Sequence, residues 1–263
     1  HEFVGTVESA PSAREWEGRR VVGEINAACG QCGQCQAGRR THCERRTVLG
    51  IVSRNGAHAT HLALPVANLH AVPDDLPDDI AVFTEPVAAA LEIHEQVAVR
   101  ARDRVIVIGA GKLGQLIAQT LAATGCRLSV VGRDLRRLEP LRALGIATVE
   151  AEQVEPRSAD IVVECTGSPE GLGLARAMLR PRGTLVLKST YHGRTDFDFS
   201  ALVVDEITLV GSRCGPFAPA LRALAEGGVQ VGHMVQARYP LGQARRAFEH
   251  AAQPGVLKVL LEP

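Results

Sequence analysis

Val105-Ile106-Val107-Ile108-Gly109-Ala110-Gly111-Lys112-Leu113-Gly114 joins a continuous apolar run to a Gly-x-Gly-x-x-Gly turn, after which apolar residues recur at helical spacing. A run of this kind suits a parallel strand buried on both faces. In the turn, Gly109 allows the tight reversal, Gly111 lets the backbone approach a pyrophosphate, and Gly114 lets the helix pack against the strand. The N–H groups at the helix start, from Lys112 and Leu113 onward, are then positioned to hold phosphate. A stop at Gly125 and a second strand follow in register. That is the context in which this motif signals dinucleotide binding.

Outward from the turn, the pattern alternates. The spacing predicts helices over 86–99, 112–124, 135–144, 169–179 and 217–227, and strands over 127–131, 147–149, 161–164, 184–188 and 207–210. Strand and helix in alternation predict an α/β fold, a Rossmann-type doubly wound parallel sheet over 87–236. Residues 1–86 instead read as short β-rich pieces, with strands expected over 4–7, 20–24 and 59–64, as in a small barrel or sandwich. The tail, 237–263, with a helix expected over 243–252 and a strand over 256–260, is too short to fold alone. It is expected to rejoin the first lobe.

The composition agrees with two globular lobes. The 263 residues are 46% apolar and 22% charged, which excludes a disordered chain. Lys+Arg 29 balance Asp+Glu 29. Zero net charge argues against a protein built to neutralise nucleic acid or lie on an anionic membrane. No apolar run of about 18 residues is present to span a bilayer, and the N-terminus lacks a basic-then-apolar leader pattern. A cytoplasmic protein acting on a small molecule is expected.

The second strand of the sheet indicates which dinucleotide binds. It ends Val130-Val131-Gly132-Arg133, with glycine where a ribose-binding carboxylate would favour NAD. Arg133, with Arg136 and Arg137 beyond it, offers guanidinium to a 2′-phosphate, so NADP(H) is preferred over NAD(H). In the alternative reading the arginines are solvated and Asp134 binds the ribose of NAD.

Four of the seven cysteines crowd together as Cys29-x2-Cys32-x2-Cys35-x7-Cys43. Tetrahedral zinc needs four soft ligands at about 2.3 Å, and short glycine-containing spacings let one loop wrap the ion. Four cysteines leave no open position, so the expected role is structural. A nucleic-acid zinc ribbon is the rival, because Arg39, Arg40, Arg45 and Arg46 surround the loop. Stacking aromatics are absent there, which weighs against it.

A β-rich lobe with this cysteine loop, then a Rossmann domain and a return segment, resembles the zinc-dependent medium-chain dehydrogenases of alcohols, polyols and threonine. Further anchors are His1-Glu2-Phe3-Val4-Gly5-Thr6-Val7, which looks like the family's Gly-His-Glu segment, and Thr84-Glu85-Pro86. The resemblance implies a GroES-like first lobe (1–86 and 237–263) and a catalytic zinc near His1, Glu2 and Glu85. It also implies cofactor contacts from Thr166, Lys188, Ser189, Thr190, Ser212, Arg213 and Lys258, with Lys258 at the pyrophosphate, and a homodimer or homotetramer.

Each of these residues has a plainer alternative. Glu85 could cap the helix after it, Glu2 could be a strand-edge carboxylate, and Lys188 and Lys258 could be solvated. His42, His58 and His61 are expected to pack or face solvent rather than bind metal. Relatives also draw a cysteine ligand from upstream of the His1 position. The chain is therefore expected to be a fragment that by itself binds structural zinc but oxidises little alcohol. The function expected is hydride transfer between NADP(H) and a secondary alcohol, polyol or carbonyl. The alternative is a non-catalytic dinucleotide-binding protein with only the structural zinc.

Overall fold

Strand β1 (Arg104–Ile108) is buried along Val105–Ile108, and the turn that follows it leads directly into helix α1 (Lys112–Ala122). In the computed structural model, which describes residues 1–191 and 197–263, β1 is central to a six-stranded parallel sheet. The other strands are β2 (Arg127–Val131), β3 (Thr148–Val149), β4 (Ala159–Glu164), β5 (Leu179–Leu187) and β6 (Thr208–Gly211). Their order is β3-β2-β1-β4-β5-β6, and every pair is parallel. Progression reverses between β1 and β4, and ligands bind at the C-terminal strand ends beside such a switch point.

Helices α2 (Leu135–Ala143) and α3 (Pro169–Met178) complete the doubly wound pattern. Ile106, Ile108, Val162 and Leu185 from the sheet meet Leu172, Ala175 and Met178 of α3 in one core cluster. Each fully buried aliphatic side chain there contributes roughly 2 kcal/mol. This sheet lies in a compact unit of residues 89–215 and 228–234.

Residues 1–88, 216–227 and 235–263 form the other unit. It contains an antiparallel sheet of Gly5–Thr6, Arg20–Gly23 and Leu69–Ala71, and a parallel pair of Val235–Pro240 with Lys258–Glu262. A two-stranded ladder of Asn26–Ala27 with Thr47–Val48 frames the cysteine loop. The helix Phe217–Ala225, which the sequence pattern grouped with the parallel sheet, belongs to this unit. Its Phe217 ring lies 5.4 Å from that of His70.

Two expectations are corrected. Residues 59–64 are bends and extended coil rather than a strand. The alternation is real, with Leu62 and Leu64 half-buried between exposed neighbours, but a strand also needs a partner, and the Ala63 carbonyl is taken by Arg54 Nη1 at 2.8 Å. Strand β5 starts at Leu179 rather than 184, with a register shift before Thr184 where Arg182 N–H donates to Asp205 O. No helix among the described residues is long and apolar enough to cross a membrane.

Candidate functional site

Gly114 packs so closely under the glycine-rich turn that a β-carbon there would lie 1.9 Å from the Gly109 carbonyl oxygen. Gly111 is different: the one atom that its β-carbon would approach is Arg137 Nη1, at 3.9 Å. Gly111 is also the N-cap of α1, and no side chain caps that helix. Open space above Gly111 and uncapped N–H groups from Lys112 and Leu113 fit a dinucleotide pyrophosphate.

Gln115, fully buried, ties this turn to α2. Its Nε2 donates to Ala110 O at 3.1 Å and to Arg137 O at 2.5 Å. A polar amide directly after the last glycine of the motif, at the start of a helix with apolar periodicity, was the sequence signal for it. Asp134 caps α2 by accepting from Arg136 N–H, and it also receives Arg136 Nε at 3.2 Å. The Arg136 guanidinium holds the Asp134 carboxyl below its ordinary range. Arg137 Nε stands 3.8 Å from the same carboxylate, and Arg133 is exposed.

Of the expected residues at the C-terminal strand ends, Thr166, Lys188, Ser189, Ser212 and Arg213 take part in a set of hydrogen bonds. Fully buried Glu164 accepts from Thr166 N–H and Thr166 Oγ1, each at 2.6 Å, and from Tyr191 OH. Burial, followed by the Glu164 carboxylate, raises the Tyr191 pKa. Ser189 Oγ accepts from Gly167 N–H at 2.8 Å. Lys188 Nζ donates to Ala89 O (2.7 Å), Ser212 Oγ (3.1 Å) and Arg213 O (3.0 Å), so its ammonium holds the Ser212–Arg213 segment. Thr190 is exposed beside this network, and His192 and Gly193 lie outside the described residues. The sequence reading missed Glu164, although an acid closing an apolar strand was visible.

In the other unit, Cys29, Cys32, Cys35 and Cys43 bring their sulfurs within 4.8 Å of one another. The Cys32–Cys35 and Cys32–Cys43 sulfur separations are 3.5 and 3.8 Å. A tetrahedron with bonds of about 2.3 Å has edges of about 3.8 Å, so the thiols fit zinc. Backbone N–H groups of Gln31 and Cys32 lower the Cys29 pKa to about 6. Burial pushes Cys35 up to about 11. The Cys29 sulfur raises the pKa of the neighbouring Arg45, and Arg46 Nη1 donates to Cys43 O at 3.1 Å, so both arginines lie against the loop itself.

His1, Glu2 and Glu85 form the second group of metal-binding type among the described residues, also within 4.8 Å of one another. His1 Nε2 is 3.9 Å from Glu85 Oε2, and Glu85 lies in the first turn of helix Thr84–Gln96. One imidazole and two carboxylates are a donor set that suits zinc. Lys258, expected at a pyrophosphate, donates to Glu2 Oε2 within its own unit. His58 packs edge-on to Phe248, and His61 pairs with Glu8 at 3.1 Å; among the described residues neither belongs to a metal-binding group.

Residues 1–74 match the family model of the alcohol dehydrogenase GroES-like domain, and residues 113–226 match that of zinc-binding dehydrogenases. Among similar proteins, an L-threonine 3-dehydrogenase from Streptomyces coelicolor is 31% identical over all of this chain and 81% of its own length. A sorbitol dehydrogenase from Halalkalibacterium halodurans is 28% identical over all of this chain and 82% of its own. The structure of a zinc-binding dehydrogenase from Sinorhizobium meliloti bound to NADP superposes with a TM-score of 0.91 at 27% identity, covering all of this chain and 82% of that one. With the glycine-rich turn, the four-thiol loop and the His1 cluster already in place, these likenesses make the chain a member of the zinc-dependent medium-chain dehydrogenases, a family of oxidoreductases.

Proposed function

We propose that the enzyme transfers hydride between NADP(H) and a secondary alcohol or polyol and the corresponding carbonyl. The convergence of His1, Glu2 and Glu85 carries this reading, because it supplies a metal-binding set separate from the closed four-thiol site. Zinc held there supplies Lewis acidity, which makes a hydroxyl more acidic and a carbonyl more electrophilic. The glycine-rich turn and the start of α1 hold the pyrophosphate. Arg133 and Arg137 meet the 2′-phosphate with charge-assisted hydrogen bonds. Lys188 fixes Ser212 and Arg213 for the carboxamide, and Thr166, Ser189 and Thr190 border the nicotinamide and adenosine riboses.

Asp134 supports NADP over NAD, because its carboxylate is already engaged by Arg136 and Arg137. Threonine and sorbitol, for which the relatives are named, are small and carry secondary hydroxyls, so compounds of that kind form the first substrate panel. Steady-state kinetics of the native enzyme with NADP and NAD over that panel test the reading. Higher efficiency with NAD, or no turnover on any secondary alcohol, overturns it.

Among the described residues β6 (Thr208–Gly211) is an edge strand and carries no charge, and Phe199, Val203, Val204 and Leu209 are exposed near it in sequence. An uncharged edge strand beside exposed apolar residues supports a homodimer or homotetramer. Sedimentation velocity checks this: wild type should be oligomeric and Leu209→Lys should shift toward monomer.

A further inference from the structure

The geometry points to Lys258 as the residue that sets how tightly the His1, Glu2 and Glu85 cluster holds its metal. The inference rests on the reading of that cluster as a metal centre. Lys258 opens the last strand, Lys258–Glu262, and its side chain is only 15% exposed. Its ammonium donates to Glu2 Oε2 and lies 4.9 Å from the centroid of the Phe83 ring, which is itself buried. A carboxylate and an aromatic face are what an ammonium needs to remain charged away from water.

Glu2 therefore serves two cations. Its carboxylate is one of the three donors within 4.8 Å, and it is also the partner of Lys258. Without a metal, the ammonium compensates Glu2 and stabilises the cluster. With a metal, the same ammonium competes for Glu2 and adds a like charge beside the ion. Both effects weaken metal binding, so Lys258 acts toward the metal as a positioning and charge-balancing residue. Its neighbour in sequence, Leu257, donates its N–H to Gln236 Oε1 at 2.5 Å, which fixes the start of the strand and hence the reach of the side chain.

Cobalt titration of the metal-free protein separates the two sites. The four-thiol site gives the most intense thiolate-to-cobalt charge-transfer bands, and filling of the second site, built on His1, Glu2 and Glu85, is followed by its own ligand-field bands. The thiol bands thus report an intact fold in every variant. Lys258→Met and Lys258→Gln should bind cobalt at the second site about tenfold more tightly than wild type, from loss of a like charge in a partly desolvated position. Lys258→Arg, which keeps the charge, should stay within about twofold of wild type. Adding Glu2→Gln to Lys258→Met should erase the gain, because Glu2 is the carboxylate released. Unchanged or weaker second-site affinity in Lys258→Met and Lys258→Gln, with the thiol bands intact, overturns the role of Lys258. Absence of a second site in wild type overturns the metal-centre reading, and this inference with it.

Discussion

Arg137 Nη1 stands 3.9 Å from the position that a β-carbon on Gly111 would take, which sets a guanidinium beside the glycine whose backbone is open to a ligand. Gln115 holds this arrangement by bonding Ala110 O and Arg137 O with one amide. Replacing Arg137 by Gln should weaken NADPH binding about tenfold or more while leaving NADH within about twofold, since a lost charge-assisted contact is worth roughly 1.5–3 kcal/mol. Fluorescence titration with both cofactors measures this. Equal weakening of both would mean that Arg137 serves the pyrophosphate instead. Arg133→Asp should move the preference further toward NADH.

Gly114→Ala should disrupt the dinucleotide unit. The added methyl would meet the Gly109 backbone at 1.9 Å, and backbone cannot rotate aside as a side chain can. Overpacking of this kind costs about 3 kcal/mol. Thermal denaturation should show a lowered midpoint, with cofactor binding lost in proportion. Gly173→Ala, where a β-carbon meets nothing within 4 Å, is the matched control and should be neutral or slightly stabilising.

Asp205 gives a pH dependence with a definite sign. Arg157 grips it with two bonds, at 2.7 and 2.9 Å, and Arg176 donates to the same carboxylate. The Arg157 hydrogen bonds, with those of Arg176, lower its pKa from 3.8 to about 2. A carboxyl whose folded pKa is depressed contributes stability above its unfolded pKa and loses it as pH falls through the folded value. Asp205→Asn should therefore destabilise the protein at neutral pH and flatten the loss of stability between pH 3.8 and about 2. Denaturant unfolding of both proteins across that range checks it, and parallel pH profiles would contradict it.

Cys43 is the most buried of the four clustered thiols, with no exposed surface. Cys43→Ser should lower structural zinc affinity by more than about a hundredfold, because even partners outside the ligand shell cost about 10–100-fold. Metal analysis should show one fewer zinc per chain. The ladder of Asn26–Ala27 with Thr47–Val48 should then lose protection from hydrogen exchange.

The fold was legible where one residue pattern had a single physical solution. Val105–Ile108 with its glycine turn allows little besides a buried strand entering a helix, and the four clustered cysteines allow little besides one closed site. Residues 59–64 misled because alternation records which side faces water and says nothing of whether a partner strand lies alongside. Lys188 and Lys258 were identified as site residues, but their partners were not. Ala89, Ser212 and Arg213 surround Lys188, and Glu2 meets Lys258 across nearly the full length of the chain. Such long-range pairings are fixed by tertiary packing, to which local periodicity is blind.

The most direct test of the central claim is the initial rate of NADP reduction by the native enzyme over a panel of secondary alcohols and polyols, with NAD in parallel and Glu85→Gln beside wild type. NADPH should form with at least one alcohol, kcat/KM should be higher for NADP than for NAD, and Glu85→Gln should lose about a hundredfold in rate, as expected when a metal-holding group is removed. Greater efficiency with NAD, or a full rate in Glu85→Gln, would contradict it.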